Sequence, residues 1–193
     1  MNFTFAKTTR ATLLPLALIG AGMVPADAQP LGQAPVLLGH WESVAPEDMG
    51  QTHATRSFNF EGGRWRVQFR AFADAGAKQP LFTLDVGGVF VIGGPSAKVS
   101  GAWEGVFPAQ YRRITAESDA GAALFAGMGC VLKPGQSVEL INQGCGFVPA
   151  LMQAMGEYDL VVLKGGQLFL GDRAGDLTKL RPEALTRFPL TQR

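Results

Sequence analysis

The sequence predicts a mainly β protein, an antiparallel lipocalin-like barrel or half-barrel with one or two short helices. Apolar residues recur at every second position on both sides of Gly62-Gly63, the spacing of a strand with one buried face. Paired glycines at Gly62-Gly63, Gly87-Gly88, Gly93-Gly94 and Gly165-Gly166 read as tight hairpin turns. The chain's thirteen Phe and three Trp also fall mostly in these β-type segments rather than in helical ones.

Taken in order, residues 1–28 read as a targeting segment. Lys7 and Arg10 form a positive leader, Ala11 to Val24 is apolar, and Ala26-Asp27-Ala28 is a small-residue cleavage site. Cleavage after Ala28 predicts a periplasmic or secreted protein whose residues 29–193 form a single domain. The apolar run is shorter than the roughly 20 residues that a membrane-crossing helix needs, so no span is expected. The whole chain has 17 basic and 16 acidic residues; without residues 1–28, fifteen face fifteen. A neutral chain lacks the basic surface that binds phosphates, which argues against a nucleic-acid partner.

The first strand is placed over Pro35 to Ala45, and its Gly39-His40-Trp41 matches the G-x-W that opens many lipocalin-type barrels. The stretch HATRSFNFEGGRWRVQFRAF, His53 to Phe72, then reads as a hairpin. Ala54, Phe58 and Phe60 alternate with Thr55, Ser57 and Asn59. Trp65, Val67, Phe69, Ala71 and Ala73 alternate with polar neighbours until Phe72 breaks the pattern. Most arginines and rings therefore project to opposite faces and cannot form a base-stacking surface. Arg56 alone falls on the apolar phase, where it needs a partner or a ligand headgroup.

Further strands are predicted at Leu81 to Val86, Gly88 to Ile92, Ala97 to Trp103, Val106 to Ala116, Val138 to Ile141, Glu157 to Lys164 and Gln167 to Gly171. One helix is expected from a cap at Asp119 through Met128, and another from Pro149 through Met155. From Asp172 the chain is polar and Pro-broken, as in an extended tail. Cys130 and Cys145 are the only cysteines, and export predicts that they pair as a structural disulfide rather than as a redox site.

Motifs for chemistry are absent from the sequence. His40 and His53 are the only histidines, and neither sits at metal-ligand spacing, so no metal is expected. Asp172 and Asp176 lack the alternation of a calcium loop. There is no G-x-S-x-G, P-loop or dinucleotide fingerprint, so the reading is non-enzymatic with no cofactor.

Several segments taken together, TRSFNFEGGRWRVQFRAFAD, QPLFTLDVGGVF, GCGFVPAL, QLFLGDRAGD and RPEALTRFPL, resemble the exported domain family named for adenomatosis polyposis coli down-regulated protein 1. The likeness spans roughly Leu38 to Leu190. It implies an open lipocalin-like barrel with a hydrophobic pocket for an acyl chain or lipid-like molecule. The sequence departs from the family where Pro46 to Gly50 and Ala75 to Lys78 stand in place of two customary cysteines. The expected wall of the pocket is the apolar face of the hairpin (Phe58, Phe60, Trp65, Val67, Phe69) with Phe82, Leu84 and Phe90 beyond. Trp41 and Trp103 close its ends, and Arg56 is the candidate for a headgroup. A hydrophobic or lipid ligand is thus the expected partner. The alternative is a protein-interaction module such as an envelope protease inhibitor acting through Gln29 to Gln33.

Overall fold

A computed structural model describes residues 32–193; the targeting segment, its cleavage site and most of Gln29 to Gln33 lie outside the described residues. The described chain is mainly antiparallel β with one α-helix. In order its elements are β1 (Gly39–Ser43), β2 (Glu47–Asp48), β3 (His53–Glu61), β4 (Arg64–Phe72), β5 (Pro80–Val89), β6 (Val91–Pro95), β7 (Trp103–Ala116), α1 (Asp119–Ala126), β8 (Ser137–Glu139), β9 (Gly156–Lys164), β10 (Gln167–Leu170) and β11 (Leu190–Gln192). All eleven strands belong to one sheet. Its neighbours run β1-β11-β10-β9-β7-β5-β4-β3, and β3 pairs back onto β1 to close a ring that is not a regular barrel. Closure leaves few free edges for another chain to pair with.

The hairpins at Gly62-Gly63 and Gly165-Gly166 follow the sequence reading, with positive φ at both glycines of each pair. That is the conformation of a two-residue turn whose twist suits the flanking strands. The other two pairs do not turn. Gly87 and Gly88 lie inside β5, where a bulge against β7 falls between them. A Cβ on Gly88 would stand 2.0 Å from the Pro108 carbonyl oxygen, so the glycine serves close approach of two strands. The predicted strands Leu81 to Val86 and Gly88 to Ile92 are therefore β5 continuing into β6. Gly93 and Gly94 sit within β6.

Other boundaries are also corrected. The first strand starts at Gly39 rather than Pro35 and ends at Ser43. Ala97 to Ala102 is a loop: Ser96 Oγ accepts from the Lys98 and Val99 backbone N–H groups, a local bond that competes with strand pairing. The register against β5 shifts at Ala71/Phe72. Phe72 is buried although it falls on the polar phase, with the Arg70 guanidinium 5.6 Å over its ring, and Ala73 lies outside the strand. Ser118, not Asp119, caps α1, accepting from the Gly121 N–H and donating to the Pro80 carbonyl. The second helix is only a 3-10 turn at Leu151–Gln153. The C-terminal segment is more than a tail, because β11 fits between β1 and β10 and completes the ring.

Two apolar clusters fill the fold. At one end, Phe82, Ile114 and Ala116 pack with Phe125 of α1 and with Leu132, Leu140, Cys145 and Val148 of the following segment. At the other end, Trp41, Phe58, Phe60, Phe107, Val161, Leu168 and Leu190 pack together. Cys130 and Cys145 form the predicted disulfide, with Cα atoms 5.3 Å apart and a separation of 15 residues, and it staples the segment that covers the first cluster. Replacing both cysteines by alanine is expected to lower stability by about 3 kcal/mol, the chain-entropy value for a loop of this size. Chemical denaturation of the oxidised, reduced and double-alanine proteins checks this; equal midpoints would show that the staple adds nothing.

Candidate functional site

Cross-strand register decides which side chains share the inner face. Phe58 of β3 pairs with Val67 of β4, which pairs with Val86 of β5; Phe60 pairs with Trp65, and Arg56 pairs with Phe69, which pairs with Leu84. Phe82 stands opposite Ala71 and Ala116. The alternation read from the hairpin thus puts the predicted wall residues of β3, β4 and β5 on one face of the sheet, as period two requires.

They divide between the two clusters. Phe58 and Phe60 stack at 5.7 Å, Phe58 and Trp65 at 6.5 Å, and Phe60 meets Phe90 edge-on at 5.4 Å. Trp41 is buried in the same group, its Nε1 donating to the Leu38 carbonyl. Phe69 and Leu84 pack instead against the cluster of Phe82, where Phe82 meets Phe125 edge-on at 5.1 Å. Trp103 is half-buried beside Val161 and Pro95 and belongs to neither cluster.

Along the β4–β5 part of this wall, Trp65, Val67, Phe69, Leu84 and Phe90 stay only partly buried, whereas Trp41, Phe58, Phe60 and Phe82 are sealed. The described residues line surface clefts. One of about 510 Å³ lies between Ser96–Lys98 and the segment from Asp172 to Ala184. Another of about 420 Å³ is lined by Asn59, Arg64, Trp65, Arg66 and Tyr111. Of the predicted wall residues, only Trp65 touches either.

Arg56 takes the partner that its position demands. Its Nε donates to Glu47 Oε1 at 2.8 Å and its Nη2 to the Phe188 carbonyl at 2.8 Å, so the guanidinium is bound within the protein itself. Besides Glu47, two inner-face charges were not singled out in the sequence. Arg112 of β7 pairs with Val86 on the buried phase and donates to the carbonyls of Pro149, Ala150 and Ala154. Burial pushes its pKa down, with the Glu157 charge opposing. Its phase was readable, since Arg112, Ile114 and Ala116 alternate as Trp65, Val67 and Phe69 do, but a bulge upstream obscures the count.

Asp159 of β9 is the second. Its Oδ1 accepts from the Leu160 and Gly171 N–H groups, both at 2.7 Å, and Arg173 approaches Oδ2 at 3.5 Å. Burial dominates and pushes the carboxyl up to about 6 from an ordinary 3.8, although the Arg173 charge and the two N–H donors pull it down. With a folded pKa above the unfolded one, the group's favourable contribution is complete below about pH 4 and lost as pH rises through about 6. Asn at this position keeps an acceptor for both N–H groups and does not ionise. Between pH 4 and 7 the wild type is therefore expected to lose roughly 2 kcal/mol relative to Asp159→Asn. Urea denaturation of both proteins across that range tests it, and parallel stability curves would refute an ionising buried carboxyl.

Among the described residues no group of three or more His, Cys, Asp or Glu side chains could hold a metal, and no helix is long and apolar enough to cross a membrane. Comparison with known proteins finds no matching family model and no matching curated protein.

Proposed function

We propose that the protein is an exported binding protein for a hydrophobic or amphipathic small molecule, of fatty-acid or lysolipid type, held without covalent chemistry against the inner β4–β5 wall. The observation that carries this reading is the row Trp65, Val67, Phe69 and Leu84, apolar groups sharing one face of the sheet that stay only partly buried. A ligand chain laid on that row gains about 25 cal/mol for each Å² of apolar surface it removes from water. The resemblance to the family of lipocalin-like barrels with acyl-chain pockets supports the same reading, as does the disulfide, which suits export.

Protein freshly purified from an expressing cell is expected to release fatty acid or lysolipid into organic solvent and to enhance the emission of a fluorescent fatty-acid probe. A clean extract together with an unchanged probe would overturn the proposal.

One observation favours a protein-interaction module as the second reading. Residues 124–155 expose Leu124, Met128, Val131, Ile141, Phe147, Met152 and Met155, and exposed apolar groups on one segment are typical of contact surfaces. That surface differs from the N-terminal segment expected for an inhibitor. Protease inhibition lost on deleting 29–33 would restore the inhibitor reading.

A further inference from the structure

Arg112 stands apart from the other arginines of the described residues by being buried without an ion pair; Arg64, Arg70 and Arg187, which also lack a carboxylate, are exposed. Arg56, Arg66, Arg113, Arg173, Arg181 and Arg193 each pair with a carboxylate. Arg112 is only 5% exposed, yet no described carboxylate forms an ion pair with it. The Glu157 charge acts on Arg112 from beyond ion-pair distance. The buried cation therefore lacks a direct carboxylate partner, and carbonyl oxygens offset only part of the cost of burial.

The geometry of its bonds is one-sided. Nη1 donates to the Pro149 and Ala150 carbonyls at 2.9 and 3.3 Å, and Nη2 donates to the Ala154 carbonyl at 3.0 Å. These three acceptors occupy the end of the guanidinium and fix it against the 3-10 turn. The side edge, Nε–H with the second Nη2 hydrogen, has no acceptor among the described residues. That edge is the one with which Arg66 grips both oxygens of Asp85. Nor is Nε sealed off, because His53 Nδ1 is the only fully enclosed side-chain nitrogen or oxygen without a partner among the described residues.

Strand register puts Arg112 on the same face of the sheet as the wall already described. Arg112 pairs with Val86, which pairs with Val67, and two positions on, Ile114 pairs with Leu84. A fixed guanidinium fork beside an inward apolar row matches an amphipathic anion: two coplanar oxygens on the fork, a hydrocarbon chain along the row. We infer that the side edge of Arg112 is the receptor for the oxyanion headgroup, carboxylate or phosphate, of the bound amphiphile. This inference rests on the lipid-binding reading and narrows it to anionic ligands. It also moves the headgroup role from Arg56, which has its own carboxylate, to Arg112.

The test is competition against the uncharged fluorescent probe diphenylhexatriene by three ligands of one chain length: hexadecanoate, hexadecyl phosphate and hexadecanol. The wild type is expected to bind at least one anion about tenfold or more tightly than the alcohol. Whichever anion is favoured identifies the headgroup. In Arg112→Gln the advantage of the favoured anion over hexadecanol is expected to fall to about twofold or less. Equal binding of all three by the wild type would overturn the role of Arg112 and leave the apolar site standing. An anion preference that survives in a folded Arg112→Gln would also overturn it. Failure of the wild type to take up the probe or any of the three would overturn the lipid-binding reading and this inference together. If Arg112→Gln does not fold, Arg112→Lys takes its place, since it keeps the charge but loses the two-pronged edge. The anion advantage is expected to fall there too, and a full advantage retained would overturn the role of the edge.

Discussion

Glu47→Ala is expected to destabilise the protein by about 3–5 kcal/mol, because it strands a charge inside the fold. Glu47 is 2% exposed and Arg56 9%. Their ion pair at 2.8 Å forms a hub: Ser43 Oγ donates to the same Glu47 oxygen at 2.7 Å and accepts from the Arg56 backbone N–H at 2.7 Å. The guanidinium also reaches the Phe188 carbonyl. One carboxylate therefore ties β1, β2 and β3 to the segment that leads into β11, at the seam where the ring closes. Removing it leaves Arg56 among Phe58, Phe69 and Ala54 with a single carbonyl for company. The double variant Glu47→Leu/Arg56→Met, which removes both charges and keeps the volume, is expected to recover much of the loss. Urea denaturation of the single and double variants measures the difference. A single-variant loss below about 1 kcal/mol, the range of exposed pairs, would show that water reaches this pair and that the seam is open.

The same seam shows what could be read from the residues and what could not. Alternation on β3 and β4 was legible because one face of an antiparallel strand is wet and the other dry, and Arg56 was conspicuous as the exception. Its answer, Glu47, was not legible, since two residues of strand separated by a four-residue gap from their neighbour carry no period. The glycine pairs illustrate a different limit. Gly62-Gly63 and Gly87-Gly88 look alike in one dimension, yet the first needs positive φ and the second needs room for Pro108, a partner supplied by a strand twenty residues away. Close approach between strands is a tertiary demand, and composition does not distinguish it from a turn. β11 was missed for a similar reason: three residues after Phe188-Pro189 become a strand only because β1 and β10 offer edges on either side. As for the candidate site, the wall was legible from period two, whereas its division into two clusters depends on α1 and the disulfide segment folding over Phe82. Arg112 was hidden by the bulge at Gly87/Gly88, which shifts the phase of β7 against β5.

Phe60→Ala is expected to cost about 3–5 kcal/mol, the range for removing a sealed aromatic side chain. Phe60 is 1% exposed and makes ring contacts with Phe58 and Phe90. Its cross-strand partners are Trp65 on one side and Gly39 on the other, and Gly39 has no side chain to move into the space. The cavity therefore persists, and its cost adds to the lost transfer energy. Trp65 gives the contrast. It lies on the same face but is only half-buried, edge-on to Phe107 at 5.5 Å, with its Nε1 donating to the Pro108 carbonyl at 3.3 Å. Trp65→Ala is expected to cost less stability than Phe60→Ala and to lose more of the binding of a fluorescent fatty-acid probe. Denaturation midpoints and probe titrations on the two folded variants separate the roles. If Trp65→Ala binds the probe as the wild type does while Phe60→Ala loses stability as expected, the half-buried row is simply loose core, and the ligand belongs elsewhere. If both variants keep wild-type stability, the second cluster does not hold the ring together, and the packing assigned to its closed seam is wrong.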